Sequence, residues 1–169
     1  RNTTLRVNTL KYNIQDLMRY FREINIKFER VSFFNNALII KNATEKDIQK
    51  LDIYEKGYIY LQCLSSMIPP LVLDAKGNEQ ILDMASAPGS KTTQIPAMMN
   101  NTGHIIANEL DKIRCERLKF NLNNQGATNV EVINGYGEKL GEKYLETFDR
   151  VLLDTPCSGE GRFIAEIAG

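Results

Sequence analysis

The sequence predicts an α/β fold in which a parallel β-sheet with flanking helices follows a small α+β module. Two observations support this prediction. From residue 79 onward, short apolar segments alternate with helical segments, and such alternation is typical of right-handed βαβ units. Before about residue 60, strand-type and helix-type segments follow one another without this regular alternation. We therefore predict two domains, at residues 1–60 and residues 61–169.

The N-terminal module is predicted to begin with a strand and a helix. Residues 4–10 alternate in polarity like a short strand, and residues 13–24 have the apolar stripe of a helix that begins at an asparagine cap. Residues 28–34 and 37–41 are predicted to be two further strands, joined by a tight turn at the asparagine pair between them. Together these segments predict a small α+β module.

Two more helices are predicted before the parallel sheet. Thr44 and Asp47 have the spacing of a capping box, with aspartate in place of the usual glutamate or glutamine, and predict the start of a short helix. Residues 65–74 form an apolar segment in which Pro69 and Pro70 are predicted to lie near the start of a helix.

The second domain is predicted to contain four parallel strands, at residues 79–85, 104–110, 130–134 and 149–154. Helices are predicted between them, at residues 91–100, 111–126 and 142–148. Because Pro96 removes one backbone hydrogen bond, we expect a kink or a shortened helix there. Ligands of such sheets bind at the carboxyl ends of the strands, so the site is expected in the loops that follow them.

Composition excludes several classes of protein. Apolar residues make up 43% of the chain, which supports a packed core and argues against disorder. No apolar run approaches the roughly 20 residues that span a bilayer, so no membrane partner is expected. Three cysteines without metal-type spacing and one histidine predict no metal site, and free thiols are typical of cytoplasmic proteins. We expect a cytoplasmic monomer.

Charge is balanced in total but unevenly distributed. The chain has 21 basic and 21 acidic residues, yet residues 1–80 carry a net charge of +3 and residues 81–169 a net charge of −3. Seven basic residues and three acidic ones lie within residues 1–30. Such a surface can contact phosphate groups, although an ordinary solvated surface explains the excess equally well.

The loop after the first parallel strand is the main candidate for a ligand site. It reads DMASAPGSKTT at residues 83–93, where Gly89 and its small neighbours allow backbone N–H groups to approach a ligand before a helix begins. A phosphate-binding P-loop is excluded, because Ser90 separates Gly89 from Lys91 and the upstream glycine is absent. The dinucleotide pattern G-x-G-x-x-G is absent as well.

Glu109 ends the second parallel strand, 20 residues after Gly89. A carboxylate at that position can accept hydrogen bonds from both hydroxyls of a ribose. An adenosine-bearing ligand without a pyrophosphate, such as S-adenosylmethionine, therefore fits better than NAD or ATP. A solvated strand end explains Glu109 equally well.

Three segments of the second domain together resemble one enzyme family. ILDMASAPGSKTTQI, IIANEL and LLDTPCSGEG, in this order and spacing, resemble the Sun-type RNA (cytosine-5) methyltransferases. RVNTLK at residues 6–11 and YLQCLSSMIPPLVLD at residues 60–74 extend the resemblance over nearly the whole chain. The first two segments favour the bacterial ribosomal-RNA branch, whereas SSMIPPLVLD fits the archaeal tRNA branch equally well.

The resemblance implies a Rossmann-like sheet, incomplete at its C-terminus, that binds S-adenosylmethionine and acts on rRNA or tRNA. It assigns the methionine part of the cofactor to the loop residues Ala85, Ser86, Ala87, Pro88, Gly89, Ser90 and Lys91. Glu109 would hold the ribose with support from Arg114, and Asp154 with Lys91 would border the cofactor and the target base. Where the family usually has a carboxylate near the adenine, this chain has Tyr136, so an altered adenine contact is expected.

Cys157 allows two interpretations. The residues alone suggest the nucleophile, because Cys157 is the only thiol in the loop after the fourth strand. The resemblance implies instead that Cys157 assists product release, while a second cysteine on a later loop attacks the base. We expect that second cysteine to lie beyond Gly169. The alternative is a non-catalytic module that binds RNA or the cofactor.

Two further residues are candidates for the chemistry. Asp154 is placed to hydrogen-bond the N3/N4 edge of a cytosine, and Lys91 to hold Asp154 or the carboxylate of the cofactor. The N-terminal module is expected to position the RNA, because its basic residues cluster there. Charge reversal at Arg6, Lys11 and Arg19 is expected to weaken RNA binding and its dependence on salt.

Overall fold

The structure is a computed structural model that describes residues 1–84, 89–135, 147–155 and 162–167, the backbone alone being described for residues 154–155 and 162–167. The chain divides into two compact units. The first comprises Arg1–Leu64 with Asn124–Gly126, and the second comprises Ser65–Asn123 with Ala127–Gly169.

The first unit is built on a four-stranded antiparallel sheet. Its elements in chain order are β1 (Thr3–Val7), α1 (Ile14–Glu23), β2 (Phe28–Val31), β3 (Phe34–Ile40), α2 (Glu45–Gln49), α3 (Asp52–Glu55) and β4 (Ile59–Leu61). The strand order is β2-β3-β1-β4, and each neighbouring pair is antiparallel. Leu5 of the central strand β1 lies opposite Leu38 of β3 and Leu61 of β4. The predicted α+β module is confirmed.

Helix α1 packs one apolar face into the core of this unit. The buried residues of the helix are Ile14, Leu17, Met18 and Phe21. Their spacing of three and four residues places them on one side of the helix, where they join Leu5 in a single apolar cluster. As predicted, Asn13 caps the helix, because its side chain accepts a hydrogen bond from the backbone N–H of Asp16 at 2.8 Å.

The turn between β2 and β3 differs from the prediction. Val31 pairs with Phe34, so the two turn residues are Ser32 and Phe33, and the asparagine pair that follows lies inside β3. The register shifts at Arg30, which is consistent with a local bulge. Asparagine pairs favour turns, but here the pairing of β3 with β1 buries the apolar residues that follow them, and this burial outweighs the local preference.

The second unit contains a five-stranded sheet. Its elements are α4 (Leu64–Leu73), β5 (Gln80–Met84), α5 (Ser90–Met98), β6 (His104–Asn108), α6 (Lys112–Gln125), β7 (Val130–Ile133), β8 (Arg150–Thr155) and β9 (Arg162–Ile167). The first residue of α4 and the last two residues of α6 are assigned to the first unit. The strand order is β7-β6-β5-β8-β9. The first four are mutually parallel, which confirms the four predicted strands, and β9 pairs antiparallel with β8. The predicted helix at residues 142–148 lies almost wholly outside the described residues.

The two prolines of α4 are deeper in the helix than predicted. Pro69 and Pro70 are the sixth and seventh residues of the ten-residue helix Leu64–Leu73, not part of its first turn. Both are buried, together with Met67 and Leu73. Burial of this apolar side offsets the backbone hydrogen bonds that the two prolines cannot donate. Helix α5 likewise contains Pro96, and it ends at Met98, two residues earlier than predicted.

The central strand β5 marks the point where the strand order reverses. Asp83 of β5 lies in register with Ala107 of β6 on one side and with Leu152 of β8 on the other. The chain passes from β5 outward to β6 and β7, and then returns to the opposite side of β5 with β8. In open parallel sheets, ligands bind at the carboxyl ends of the strands next to such a reversal.

Candidate active site at the carboxyl ends of the strands

The four parallel strands end at the same edge of the sheet. Their last residues are Met84 of β5, Asn108 of β6, Ile133 of β7 and Thr155 of β8. Asp154 lies near the end of β8, and every other predicted site residue follows one of these four strands. Gly89, Ser90, Lys91, Glu109 and Arg114 are among the described residues, and Asp154 is described by its backbone on β8. The remaining predicted site residues lie outside the described residues, namely Ala85, Ser86, Ala87, Pro88, Tyr136 and Cys157.

Gly89 is buried immediately before α5 and has φ of +114°. A Cβ atom at this position would lie 3.1 Å from Cδ1 of Leu118 and 3.4 Å from Nδ2 of Asn121, both on α6. The left-handed backbone therefore favours glycine, and a Cβ would in addition require small shifts of Leu118. The carbonyl of Gly89 accepts a hydrogen bond from the N–H of Thr93 at 2.8 Å, so the turn leads directly into the helix.

The carboxylate of Asp83 is tied to the same helix. Asp83 is 1% exposed, and the hydroxyl of Thr92 donates a hydrogen bond to its Oδ2 at 2.5 Å. This bond joins the end of β5 to the first turn of α5 across residues 85–88. Sequence analysis missed both residues. The signal was available, because an aspartate inside an apolar strand is buried and needs hydrogen-bond donors.

Ser90 and Lys91 form the beginning of α5, and both are half-buried. The carbonyl of Ser90 accepts a hydrogen bond from the hydroxyl of Thr93 at 3.3 Å. Gln94, one turn further, is 1% exposed and donates from Nε2 to the carbonyl of Met67 on α4 at 3.0 Å. Helix α5 is therefore held in place by side-chain hydrogen bonds to two neighbouring elements, β5 and α4.

Glu109 follows β6 directly and is 6% exposed, which argues against a solvated strand end. Its backbone N–H donates to the carbonyl of Ile133 at 2.9 Å, and its Oε1 accepts from the N–H of Asp111 at 3.2 Å. The side-chain amide of Asn134 donates to the carbonyl of Glu109 at 2.9 Å. These contacts fix the turn after β6 and hold the carboxylate near the carboxyl ends of β6 and β7.

Arg114 lies on the first turn of α6 and is exposed. Its backbone N–H donates to Oδ1 of Asp111 at 2.9 Å, so Asp111 caps the helix that begins after β6. The structure thus brings Gly89 and Glu109 to the same edge of the sheet.

Two of the basic residues predicted to bind RNA have partners within the first unit, and one of them is buried. Arg6 is 1% exposed, its Nε donates to Oε1 of Gln62 at 2.7 Å, and its guanidinium lies 5.0 Å from the ring centre of Tyr60. Burial lowers the pKa of Arg6 to about 10. The prediction that Arg6 contacts RNA is therefore wrong, because its charge does not reach the surface. Nζ of Lys11 donates to the carbonyls of Lys56 and Asn124, at 2.9 and 2.8 Å.

None of the helices in the described part of the chain combines the length and the apolar character needed to cross a membrane. Likewise, the side chains that the structure describes include no group of three or more His, Cys, Asp or Glu residues that could hold a metal ion.

The family model for the 16S rRNA methyltransferase RsmB/F matches residues 70–165, which include the sheet edge described above. The chain belongs to this family. The fold of its second unit is accordingly the Rossmann-like fold of S-adenosylmethionine-dependent methyltransferases, and the resemblance to Sun-type enzymes is confirmed.

Curated proteins that are similar to this chain agree with this assignment. It is 40% identical over 162 residues to ribosomal RNA small subunit methyltransferase F of Citrobacter koseri, a match that covers 94% of this chain and 34% of that protein. It is 38% identical over 163 residues to the enzyme of the same name from Aeromonas salmonicida, with the same two coverages. The chain thus spans about a third of the length of these relatives.

Solved structures show the same fold. A methyltransferase homolog protein from Pyrococcus horikoshii is 36% identical and superposes with a TM-score of 0.85, over 94% of this chain and 51% of that one. NSun6 from Pyrococcus horikoshii, crystallised with SFG, has a TM-score of 0.82 at 23% identity, over 92% of this chain and 63% of that one. At that identity the second likeness shows the fold alone.

Proposed function

We propose that this chain is the cofactor-binding part of an RNA methyltransferase that transfers a methyl group from S-adenosylmethionine to C5 of a cytosine in ribosomal RNA. The observation that supports this most is the buried carboxylate of Glu109, which follows β6 at the same edge of the sheet as the Gly89 turn. The RsmB/F family description favours ribosomal RNA over tRNA as the substrate.

The described residues suit this cofactor. Gly89 lies directly before α5 with a left-handed backbone that favours glycine, and backbone N–H groups at the start of this helix can approach a ligand closely. A carboxylate such as that of Glu109 can accept hydrogen bonds from two ribose hydroxyls at once. When bound, S-adenosylmethionine supplies a methyl group on a positively charged sulfonium, which makes that methyl electrophilic.

Cytosine C5 needs activation before it can take this methyl group. We propose that a cysteine thiolate forms a bond to C6, which makes C5 nucleophilic. C5 then forms a bond to the methyl carbon as the sulfonium–methyl bond breaks. Removal of the C5 proton restores the C5–C6 double bond and expels the thiolate. The target base must leave its stack, or lie in a single strand, for these atoms to be reached.

The family motifs suggest which residues take part. Asp154 lies near the end of β8, beside the central strand β5, and is proposed to hydrogen-bond the N3/N4 edge of the cytosine. Lys91, in the first turn of α5, is proposed to hold Asp154 or the cofactor carboxylate. Cys157 is proposed to assist breakdown of the adduct, and the attack on C6 is assigned to a second cysteine of the full-length protein.

The role of Cys157 is tested with the full-length protein and its Cys157→Ala variant, incubated with S-adenosylmethionine and a 16S rRNA transcript. We expect wild-type protein to release methylated RNA. The variant should instead accumulate an RNA–protein adduct that survives a denaturing gel, because formation of the C6 bond does not need Cys157 but its breakdown does. Cys63→Ala, which removes a half-buried thiol from outside the candidate site, serves as the matched control and should behave like wild type.

Three results would contradict the proposal or part of it. If Cys157→Ala abolishes both methylation and the adduct while still binding the cofactor, Cys157 is the nucleophile. If wild-type protein binds the cofactor but transfers no label to 16S rRNA or to tRNA, the chain belongs to a non-catalytic binding module. Methyl transfer to tRNA but not to 16S rRNA would show that the substrate is tRNA.

A further inference from the structure

The outward face of α6 has a composition that cofactor binding does not explain. On the inward side of the helix, Cys115, Leu118 and Leu122 are at most 5% exposed. On the opposite side, Ile113 and Phe120 are 73% and 70% exposed. Single exposed apolar side chains are common, so the significance of Ile113 and Phe120 depends on the residues that surround them.

Cationic side chains are interleaved with these apolar ones. Ile113, Arg117 and Phe120 are spaced by four and three residues, which places them on one side of the helix. Lys112 and Arg114 flank them on the first turn, and all five residues are exposed. These five residues are called the α6 face below.

The positive charge of the α6 face is unusual for this part of the chain. Residues 81–169 contain nine basic and twelve acidic residues, yet four of the nine basic residues lie on α6. Glu116 is the only acidic residue in the sequence of α6. It is exposed on the same side of the helix as Ile113 and Phe120, and it pairs with Lys119 at 3.5 Å. Asp111, just before the helix, caps it through its carboxylate. With four basic residues against one acidic residue, α6 therefore has a net positive charge within a part of the sequence that is acidic overall.

We propose that the α6 face binds a single-stranded segment of the RNA substrate, with a base stacked on Phe120 and phosphates beside Lys112 and Arg117. The proposal rests on the proposed function in taking RNA as the partner. Aromatic side chains among cations are typical of surfaces that hold single-stranded RNA. Ile113 and Phe120 are seven residues apart, about 10 Å along the helix axis, which is roughly the length of three stacked nucleotides.

A protein partner fits the α6 face less well. The centres of protein interfaces are depleted in charged residues, especially lysine, and present continuous apolar area. Here Arg117 separates the two apolar side chains, and Lys112 lies at the edge of the same face. An RNA strand instead supplies a planar base for each exposed apolar side chain and a phosphate for each cation.

Substitutions at Phe120 test the stacking. Affinity for a fluorescein-labelled oligocytidylate is measured by anisotropy with the full-length protein. Phe120→Leu keeps the apolar surface but removes the aromatic ring, and we expect a fall in affinity of about fivefold or more. Phe120→Tyr keeps the ring and should retain wild-type affinity. Val72→Ala, which changes another exposed apolar side chain of the second unit, is the matched control and should have no effect.

Substitution of Arg117 tests the electrostatic part. For single-stranded nucleic acid, each phosphate contact contributes about 0.7 to the slope of log affinity against log salt concentration. Arg117→Gln should therefore make the slope shallower by about 0.7. The control is Lys76→Gln, which removes an exposed cation that pairs with Asp74 and should leave the slope unchanged.

Several results would overturn the proposal. Phe120→Leu binding RNA as well as wild type would exclude stacking, and an unchanged slope for Arg117→Gln would exclude the phosphate contact. If wild-type protein sediments as an oligomer that Phe120→Leu or Ile113→Glu dissociates without any change in RNA affinity, the face joins two copies of the chain. Cofactor affinity should be unchanged in all Phe120 variants. If the wild-type protein transfers no methyl group to RNA, the proposed function is contradicted, whereas the proposed RNA contact of the α6 face is not.

Discussion

Both units bury polar side chains, but only those of the second unit lie at a sheet edge where ligands are expected. In the first unit, Arg6 and Asn8 lie within and just after the central strand β1 and are 1% and 0% exposed. Their polar atoms bond to Gln62 and to backbone carbonyls of the same unit. In the second unit, Asp83 and Glu109 are buried at the carboxyl ends of β5 and β6. The buried polar groups of the first unit bond to one another and to its backbone, whereas Asp83 and Glu109 lie at the sheet edge where such folds bind ligands.

Removing a buried polar group of the first unit should have the largest effect on stability. Arg6→Ala leaves a cavity in the sheet and removes the partner of Gln62, so we expect the free energy of unfolding to fall by about 3 kcal/mol. Urea unfolding measures this loss. The control is Arg19→Ala, which removes an exposed arginine that pairs with Asp16 and should cost less than about 1 kcal/mol. Equal losses for the two variants would contradict a scaffold role for Arg6.

Glu109 in the second unit should show the opposite behaviour. Glu109→Gln preserves the size of the side chain but removes the charge that is proposed to accept the ribose hydroxyls. We expect the affinity for S-adenosylmethionine to fall by about tenfold, with little change in the free energy of unfolding. Calorimetric titration measures the affinity, and Glu116→Gln on the exposed side of α6 is the matched control. A variant that loses stability and keeps its affinity would place Glu109 with the scaffold groups.

The smallest effect is expected at the surface of the first unit. Thr44 and Asp47 form the capping box of α2, and hydrogen bonds from Thr44 lower the pKa of Asp47 below its ordinary value of 3.8. A carboxyl with a lowered pKa in the folded state stabilises the protein above its unfolded pKa, and this contribution is lost as the pH falls through the folded pKa. Asp47→Asn should therefore be slightly less stable than wild type at neutral pH.

The pH dependence of the unfolding midpoint tests this sign. The difference between wild type and Asp47→Asn should shrink as the pH falls below about 4 and vanish once the carboxyl is protonated in both states. A difference that stays constant down to strongly acidic pH would show that the charge of Asp47 does not stabilise the helix.

The parallel sheet could be predicted because its information is local. Each of its first four strands is a short apolar run, and the segments between them have helical patterns or turn residues. The asparagine pair in β3 was misjudged because its turn preference is also local, whereas its actual place depends on pairing with β1. Arg6 was misjudged for a similar reason, since a charge count cannot distinguish an arginine on the surface from one inside a sheet.

Some residues of the candidate site could be predicted from sequence motifs, whereas others are identified only by their contacts in the structure. The Gly89 turn and Glu109 have motif signals, and both lie where the strand pattern placed them. The bond between Asp83 and Thr92 is formed by residues nine positions apart that meet only when α5 folds back beside β5. The α6 face could not be predicted, because the sequence of α6 has the mixed composition of an ordinary surface helix and only burial shows which side is exposed.

The reversal of strand order at β5 also affects how the protein is made. Ile81 of β5 pairs with Ile105 of β6, only 24 residues later, but its other neighbour is Arg150 of β8, 69 residues later. At a synthesis rate of about 5 to 20 residues per second, the second side of β5 waits roughly 3 to 14 seconds for its partner. During that time the strand has an open hydrogen-bonding edge, which is a common starting point for aggregation. The strand that positions Asp83 is thus among the first made in the second unit and among the last to be enclosed.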